Sequence, residues 1–485
     1  MHQQTRRIID YFEQISRIPR CSKNEMQIAR WLRQWAEKKG WAVQSDAAGN
    51  LVIKVPASQG AEQAPPVILQ GHMDMVCEKR GGSGHDFSKD PIRLVEDGLW
   101  LTAAETTLGA DNGIAIALAL ALVDTPAIEH PPLELFFTVD EETGLNGALQ
   151  MDPTMLSGKI LINLDSEEEG LFVVGCAGGR DTTLRRPSRF TALTLQQDGL
   201  AISAQGMRGG HSGIDIAKHR ANANTVMARL LDAARAQGPI QIVDILGGTG
   251  RNVIPRSCEV RLACPSGRIA AVEQAVRRAA ETIRAEFSMT DPGLTIRVER
   301  WRNADTGCRA MTEADSSAAI DLLLALPSGP IEMSAEFPLL VQTSTNLSMV
   351  AMEADGLWVI TSQRSSVLSR LDAICRQVAA IGNLAGARVA SDAGYPPWPM
   401  NPDSALLERC KTLYRELFGS AADVQVIHAG LECGVIGDHC PEMDMISLGP
   451  TIENPHSPSE RLHLPSVEKV WQLLVALMAS FGKRS

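Results

Sequence analysis

Apolar residues recur at three- and four-residue spacing over 7–18 and 25–39, which predicts two amphipathic helices, with Gly40 placed to stop the second. Beyond them, short apolar runs alternate with helical segments. Residues 50–55, 66–70, 133–139 and 159–163 read as strands, and 112–123 as an almost wholly apolar helix. Strands that are apolar at nearly every position and separated by helices predict an α/β layer with a mostly parallel sheet.

The texture changes near RRPSRF (185–190), which reads as a connector. Afterwards the runs 191–196, 201–204, 240–246 and 258–264 carry one polar face, and helices near 218–236 and 268–286 are amphipathic. This α+β style continues through 357–362, a helix at 365–383 and a strand at 387–390. The proline-dense GYPPWPMNP (394–402) is a second connector, after which 425–427, 445–448 and a helix at 466–482 return to the first style. The expected organisation is an α/β domain in two parts, 1–185 and 395–485. Residues 186–394 form an α+β domain inserted between them.

The 485 residues are enough for two domains, and 44% apolar with 21% charged residues is the balance of a folded globular chain. Lys and Arg total 46 against 57 Asp and Glu, a net charge of −11. That is the wrong sign for a protein that grips phosphate backbones, so nucleic acid is an unexpected partner. The longest apolar runs, 113–123 and 470–481, fall short of the ~20 residues that cross a bilayer, so no membrane association is expected. The N-terminal stretch carries charges every few residues and has no apolar signal core. Ten cysteines without a CxxC pair fit reduced thiols in a cytoplasmic enzyme.

Candidate chemistry gathers where apolar runs end. PPVILQGHMDM closes a strand on His72 and Asp74, whose side chains alternation sends the same way. A metal-bound imidazole needs a carboxylate to fix its tautomer, and Asp74 is placed for that. TLGADNG puts Asp111 at the start of a helix, where an N-cap is the ordinary job of an Asp. LELFFTVDEETG ends in Asp140, Glu141 and Glu142, like charges that need either solvent or a cation. LINLDSEEEG ends in Asp165, and Glu167, Glu168 and Glu169 after it read as a solvated loop. Four junctions of one kind outweigh each alone, because open α/β sheets bind ligands at the carboxyl ends of their strands. One His among carboxylates suits zinc, manganese or cobalt, and His456 in LGPTIENPHSP supplies the second imidazole that two ions call for.

GHMDMV, TTLGADNGIA, TVDEETGLNGA, INLDSEEEG, GGHSG, RNVIP, HAGLECG and LGPTIENPHSP stand in this order along the whole chain. The set resembles the co-catalytic metallopeptidases related to aminoacylases and carnosinases, and within them the bacterial aminoacyl-histidine dipeptidases. The resemblance implies two divalent ions, zinc first, with cobalt or manganese as alternatives. His72 and Asp165 would hold one ion, Glu142 and His456 the other, and Asp111 would bridge both across a cis Asp111–Asn112 peptide. Glu141 would be the general base and Asp74 the partner of His72. The inserted domain resembles the family's lid and dimerisation domain, which implies a homodimer. His211 would face the oxyanion, Asn252 and Arg364 the substrate's carboxylate, and Gly430 and Glu432 the rest of a dipeptide. The implied activity is hydrolysis of Xaa-His dipeptides, β-alanyl-histidine among them. A broad dipeptidase and an N-acyl-amino-acid deacylase are the alternatives with the same chemistry, and a non-catalytic binding protein is the alternative of another class. Ser459 departs from the family, which carries an acidic residue there.

Overall fold

The computed structural model describes residues 3–302 and 308–482, leaving aside the side chains of the first two of these. The chain divides into two compact units. The first comprises Met1–Cys176, Trp398–Val426 and Leu431–Ser485, and the second Ala177–Pro397 with Ile427–Gly430.

The first unit is built on an eight-stranded sheet in the order Ala42–Ser45, Leu51–Val55, Leu133–Thr138, Val67–His72, Ile160–Asn163, Asp444–Ser447, Leu171–Cys176, Asp423–Ile427. Its four central strands, from Leu133–Thr138 to Asp444–Ser447, run parallel, while Leu51–Val55 and Leu171–Cys176 join them antiparallel. Val67–His72 and Leu133–Thr138 are buried at every position, as strands covered on both faces must be. The helix Ala110–Val123 is buried nearly all round, which explains its lack of a polar stripe. A small antiparallel sheet, Ile452–Glu453, Arg461–His463, Trp100–Ala103 and Leu94–Asp97, frames the hairpin that carries His456.

The second unit has an antiparallel sheet in the order Thr295–Arg302, Gln197–Gln205, Cys258–Pro265, Gln241–Gly247, Val341–Glu353, Gly356–Ser365, Gly178–Pro187, Arg388–Ser391, with Gly329–Met333 also paired to Val341–Glu353. The helices Ala223–Arg235, Ile269–Glu286, Glu313–Ala325 and Leu368–Leu384 belong to this unit. Its core joins Leu200, Ile202, Val226, Leu230, Val260 and Val276.

Two expectations shift. The first boundary lies at Cys176/Ala177 rather than 185/186, because RRP is the end of a ten-residue strand paired along its whole length with Gly356–Ser365. The return lies at Pro397/Trp398 rather than 394/395, and Ile427–Gly430 belongs with the second unit. The cysteines are not all reduced: Cys21 and Cys77 form a disulfide across Cα atoms 5.7 Å apart, and eight thiols remain free. The cause is tertiary, since Met75 donates its amide to Arg20 O at 3.1 Å and lays the two segments side by side. Among the described residues, no helix is long and apolar enough to cross a membrane.

Candidate metal centre and substrate cluster

The parallel register fixes the first half of the site. His72 faces Thr138 and Gln70 faces Asn163 across neighbouring strands, so residues 72, 140–142 and 165 all leave the sheet at the same carboxyl edge. Asp111 arrives from the start of the buried helix, where its peptide bond to Asn112 is cis. His456 sits at the hairpin tip with φ +59°, and Asp140 in the adjacent turn has φ +50°. Unfavourable backbone of this kind persists where surrounding contacts over-determine it, which is common in functional sites.

The donor atoms converge. His72 Nε2 lies 3.0 Å from Asp111 Oδ1 and 3.4 Å from Asp165 Oδ1. His456 Nε2 lies 3.0 Å from both Asp111 Oδ2 and Glu142 Oε2. The two oxygens of Asp111 therefore address the two imidazoles separately. In each of the sets His72/Asp111/Asp165 and Asp111/Glu142/His456, one donor atom per residue falls within 4.8 Å of the others. Glu142 Oε1 is buried without a hydrogen-bond partner. Two further groups are as compact: His72, Glu141 and Glu142 at the same edge, and the wholly acidic Glu25, Asp74 and Asp140. The carboxylates of the last group are already engaged, however: Glu25 accepts the amides of Lys23 and Asp140, and Asp74 those of Glu141 and Glu142.

The electrostatics ask for positive charge. Burial pulls both imidazoles down, yet the carboxylates outweigh it, raising His72 well above its ordinary value and pushing His456 up to about 11. Burial and then mutual repulsion hold Glu141, Glu142 and Asp165 above the usual carboxylate range. Asp111, Glu142 and Asp165 around two imidazoles, with one buried Glu142 oxygen unpaired, form a donor set that fits hard or borderline divalent cations. Asp74 behaves differently. Burial works to raise it, but His72, the Glu141 amide and the Ser22 hydroxyl bring it to about 2. As a fixed carboxylate 3.3 Å from His72 Nδ1, it directs Nε2 toward Asp111 and Asp165.

Glu167 escapes the sequence reading. It is half-buried, not a solvated loop residue, and burial followed by Asp111 and Asp165 raises it to about 8. Glu169 is engaged too, accepting from Tyr414 at 2.7 Å and Lys469 at 2.9 Å. Glu432, expected to meet substrate, is fully buried, with Oε2 accepting from Gln70 at 2.6 Å and Thr138 at 2.7 Å and Oε1 buried without a hydrogen-bond partner. Half of its carboxylate supports the strands.

In the second unit, the strand Gly356–Ser365 brings Arg364 beside His211. Arg364 is 6% exposed, donates to Tyr395 Oη at 2.6 Å and places Nη2 3.4 Å from His211 Nε2. His211 Nδ1 accepts the amides of Gly213 and Ile214 at 3.3 and 3.2 Å, which fixes the ring plane. Tyr395 fills space left by two glycines: a Cβ on Gly179 or Gly430 would lie within 2.6 Å of it. Gly430 thus serves by having no side chain. His428 is buried, contacts Ser344 Oγ at 2.7 Å and is driven down to about 3 by burial and then Arg364. Asn252 is exposed and joins the group only through its carbonyl, which accepts the Ser212 amide at 2.8 Å. Tyr395 lies inside the Pro-rich connector and His428 opens the motif HAGLECG, yet neither stood out as a candidate from the sequence.

The sequence profile of peptidase family M20/M25/M40 matches residues 68–480. The cytosol non-specific dipeptidase of Escherichia coli (strain K12) is 37% identical over 469 residues, covering 97% of this chain and 96% of that protein. The crystal structure of aminoacylhistidine dipeptidase from Vibrio alginolyticus superposes with a TM-score of 0.85 at 35% identity, over 99% of this chain and 97% of that one. Human carnosine dipeptidase 1 shares the fold at a TM-score of 0.53 and 12% identity, with 99% and 97% covered.

Proposed function

The chain is a hydrolase of the M20/M25/M40 peptidase family, and from that premise we propose that it is a two-metal dipeptidase acting on Xaa-His dipeptides, including β-alanyl-histidine. The observation that carries the two-metal reading is Asp111, one oxygen on the His72 side and the other on the His456 side. His72, Asp111 and Asp165 would hold one ion, and Asp111, Glu142 and His456 the other. Zinc suits this donor set best, with cobalt and manganese next. When bound, the pair of cations acidifies water and polarises the scissile carbonyl.

The chain's own residues do the remainder. Glu141 is held by its amide to Asp74 at 3.1 Å, which leaves its carboxylate free to take a proton from water and return it to the leaving amine. A carboxylate raised by burial and by its neighbours is suited to that exchange near neutral pH. His211 would face the developing oxyanion, and Arg364 would bind the dipeptide's carboxylate with its planar fork. Asn252 and Gly430 would line the same subsite. The second unit would thus recognise substrate and pair two copies of the chain, in a cytoplasmic enzyme.

A second reading has support of its own: the E. coli relative is named a non-specific dipeptidase, so a broad dipeptide range is the principal alternative, ahead of N-acyl-amino-acid deacylation. Assays of unacylated and acylated dipeptides, after reconstitution with zinc, cobalt or manganese, separate the three. Preference for Xaa-His by tenfold or more in kcat/KM is expected, and equal rates across unrelated dipeptides would replace the specific reading with the broad one. Asp111→Ala should lose both ions, and two tightly bound ions in that variant would refute the bridge.

A further inference from the structure

Behind the candidate ligands, two residues given no role in the sequence analysis reach the segments that carry them. Glu460 is 3% exposed and lies four residues beyond His456. Its Oε2 accepts the amides of Leu108 at 2.7 Å and Gly109 at 2.9 Å, and its Oε1 those of Ala110 at 2.8 Å and Asp111 at 3.3 Å. One carboxylate thus takes four consecutive amides where the chain turns into the Asp111 helix. A negative charge is favoured at that end of a helix. Arg20 is 2% exposed and binds the other side: Nη1 donates to Met73 O at 3.1 Å and Asp74 O at 2.8 Å, and Nη2 donates to Gly109 O. The Gly109 backbone is therefore held by a carboxylate at its N–H and a guanidinium at its carbonyl. Gly109 has φ +70°, and a Cβ there or on Gly113 would lie 2.5 or 2.6 Å from Arg20 Nη2. Both glycines make room for that guanidinium.

We propose that Glu460 and Arg20 are positioning residues that set the spacing of the two ion sites. Glu460 locks the His456 hairpin to the segment presenting Asp111, and Arg20 locks the His72–Asp74 turn to the same segment. The three ligand-bearing pieces meet at Gly109, so the distance between His72 and His456 is governed there rather than by the ligands alone. A generic buried salt bridge would have no such geometry, because here every contact runs to backbone within three residues of a ligand. The inference rests on the two-metal reading above.

Glu460→Gln keeps the volume and one good acceptor while removing the charge, and Arg20→Lys keeps the charge while removing the fork. The test is zinc and cobalt binding by each purified full-length variant, measured against a competing chelator, beside circular dichroism and thermal midpoint of the metal-free protein. Outer-shell partners of metal ligands typically contribute 10–100-fold in affinity. Glu460→Gln should bind at least one ion about 10-fold more weakly or worse, with the metal-free fold retained, and kcat should fall while KM changes less than about threefold. Glu460→Asp, which retains the charge, should recover part of that affinity. Lower thermal stability with unchanged metal affinity in both Glu460→Gln and Arg20→Lys would reveal a merely structural pair and overturn the proposal. If Glu460→Gln does not fold, Glu460→Asp and Arg20→Lys decide by the same comparison. A wild type that binds two ions but cleaves no dipeptide would overturn the activity proposed above, leaving the affinity comparison to judge this pair.

Discussion

Replacing Glu141 by Gln is the sharpest probe of the proposed chemistry, because the structure separates its backbone role from its side-chain role. The Glu141 amide donates to Asp74 at 3.1 Å and the Glu142 amide donates to the other Asp74 oxygen at 3.2 Å. Both bonds survive the substitution, so the turn that presents Glu142 should not move. Glutamine matches the volume but has no oxygen able to take up a proton at neutral pH. Losing a positioned base costs about 10²–10⁴-fold in rate, which is roughly 2.7–5.4 kcal/mol of barrier at 1.36 kcal/mol per decade. The substitution also removes one of the carboxylates that repel one another here, so ion binding should be kept. The assay is kcat on the best dipeptide at saturation, with ion content by mass spectrometry on the same preparation. Wild-type turnover would exclude Glu141 as the base. A fall in turnover matched by loss of an ion would make it a ligand.

Arg364→Ala should lower kcat/KM by roughly 30-fold or more while both ions stay bound, since an unpaired buried charge contact costs about 2–5 kcal/mol; if amidating the dipeptide's carboxylate then adds its full penalty to the variant, Arg364 does not touch that group. Asp315, bonded to Arg186 and Arg189 at 3.0 Å each, is opposed by burial but held below the usual carboxylate range by Thr312 and the two arginines. A depressed pKa gives stability that is complete above the unfolded value and lost as pH falls. Asp315→Ala should therefore destabilise by about 3 kcal/mol at pH 7, and its deficit against wild type should shrink below about pH 4; a deficit independent of pH would refute the ion-pair account. Thiol titration of the unfolded chain should count eight groups before reduction and ten after, and ten at the outset would exclude the Cys21–Cys77 bridge.

Part of the candidate edge was legible because His72, Glu141, Glu142 and Asp165 stand at or just past the ends of apolar strands, whereas Asp111 opens a helix and His456 follows a turn. A polar side chain that closes a buried strand, as His72 does, or that follows one, as Asp140 to Glu142 do, must leave the sheet where the strand ends. Parallel pairing then sends all such ends to one side. The second unit was harder. Its strand Val341–Glu353 reads VQTSTNLSMVAME, without an apolar alternation, and no strand was expected there. Thr343, Ser344, Thr345, Asn346 and Ser348 are nonetheless buried, because partners distant in sequence satisfy them. Asn346 donates to Val253 O at 2.8 Å and Ser348 to Arg251 O at 2.6 Å. Polarity in a sequence window says solvent, and only the finished fold supplies the partners that say otherwise.

The same limit explains Glu432 and shows how the metal edge is kept rigid. Gln70 lies two residues before His72, and Asn163 two before Asp165, so alternation puts each on the face of its ligand, one row deeper. Asn163 donates to Gln70 at 2.5 Å, Gln70 and Thr138 donate to Glu432, and Asn112 ties His72 N to Leu164 O through bonds of 3.2 and 2.9 Å. Each of these groups alone would cost free energy in an apolar sheet. Together they join the strands of His72, Glu142 and Asp165 to the helix of Asp111, so that a ligand cannot shift without breaking bonds to its neighbours. The row therefore reads as scattered polar residues in sequence and as one support in space. It follows that candidate residues can be read from where apolar strands stop, whereas their spacing is a property of the row behind them.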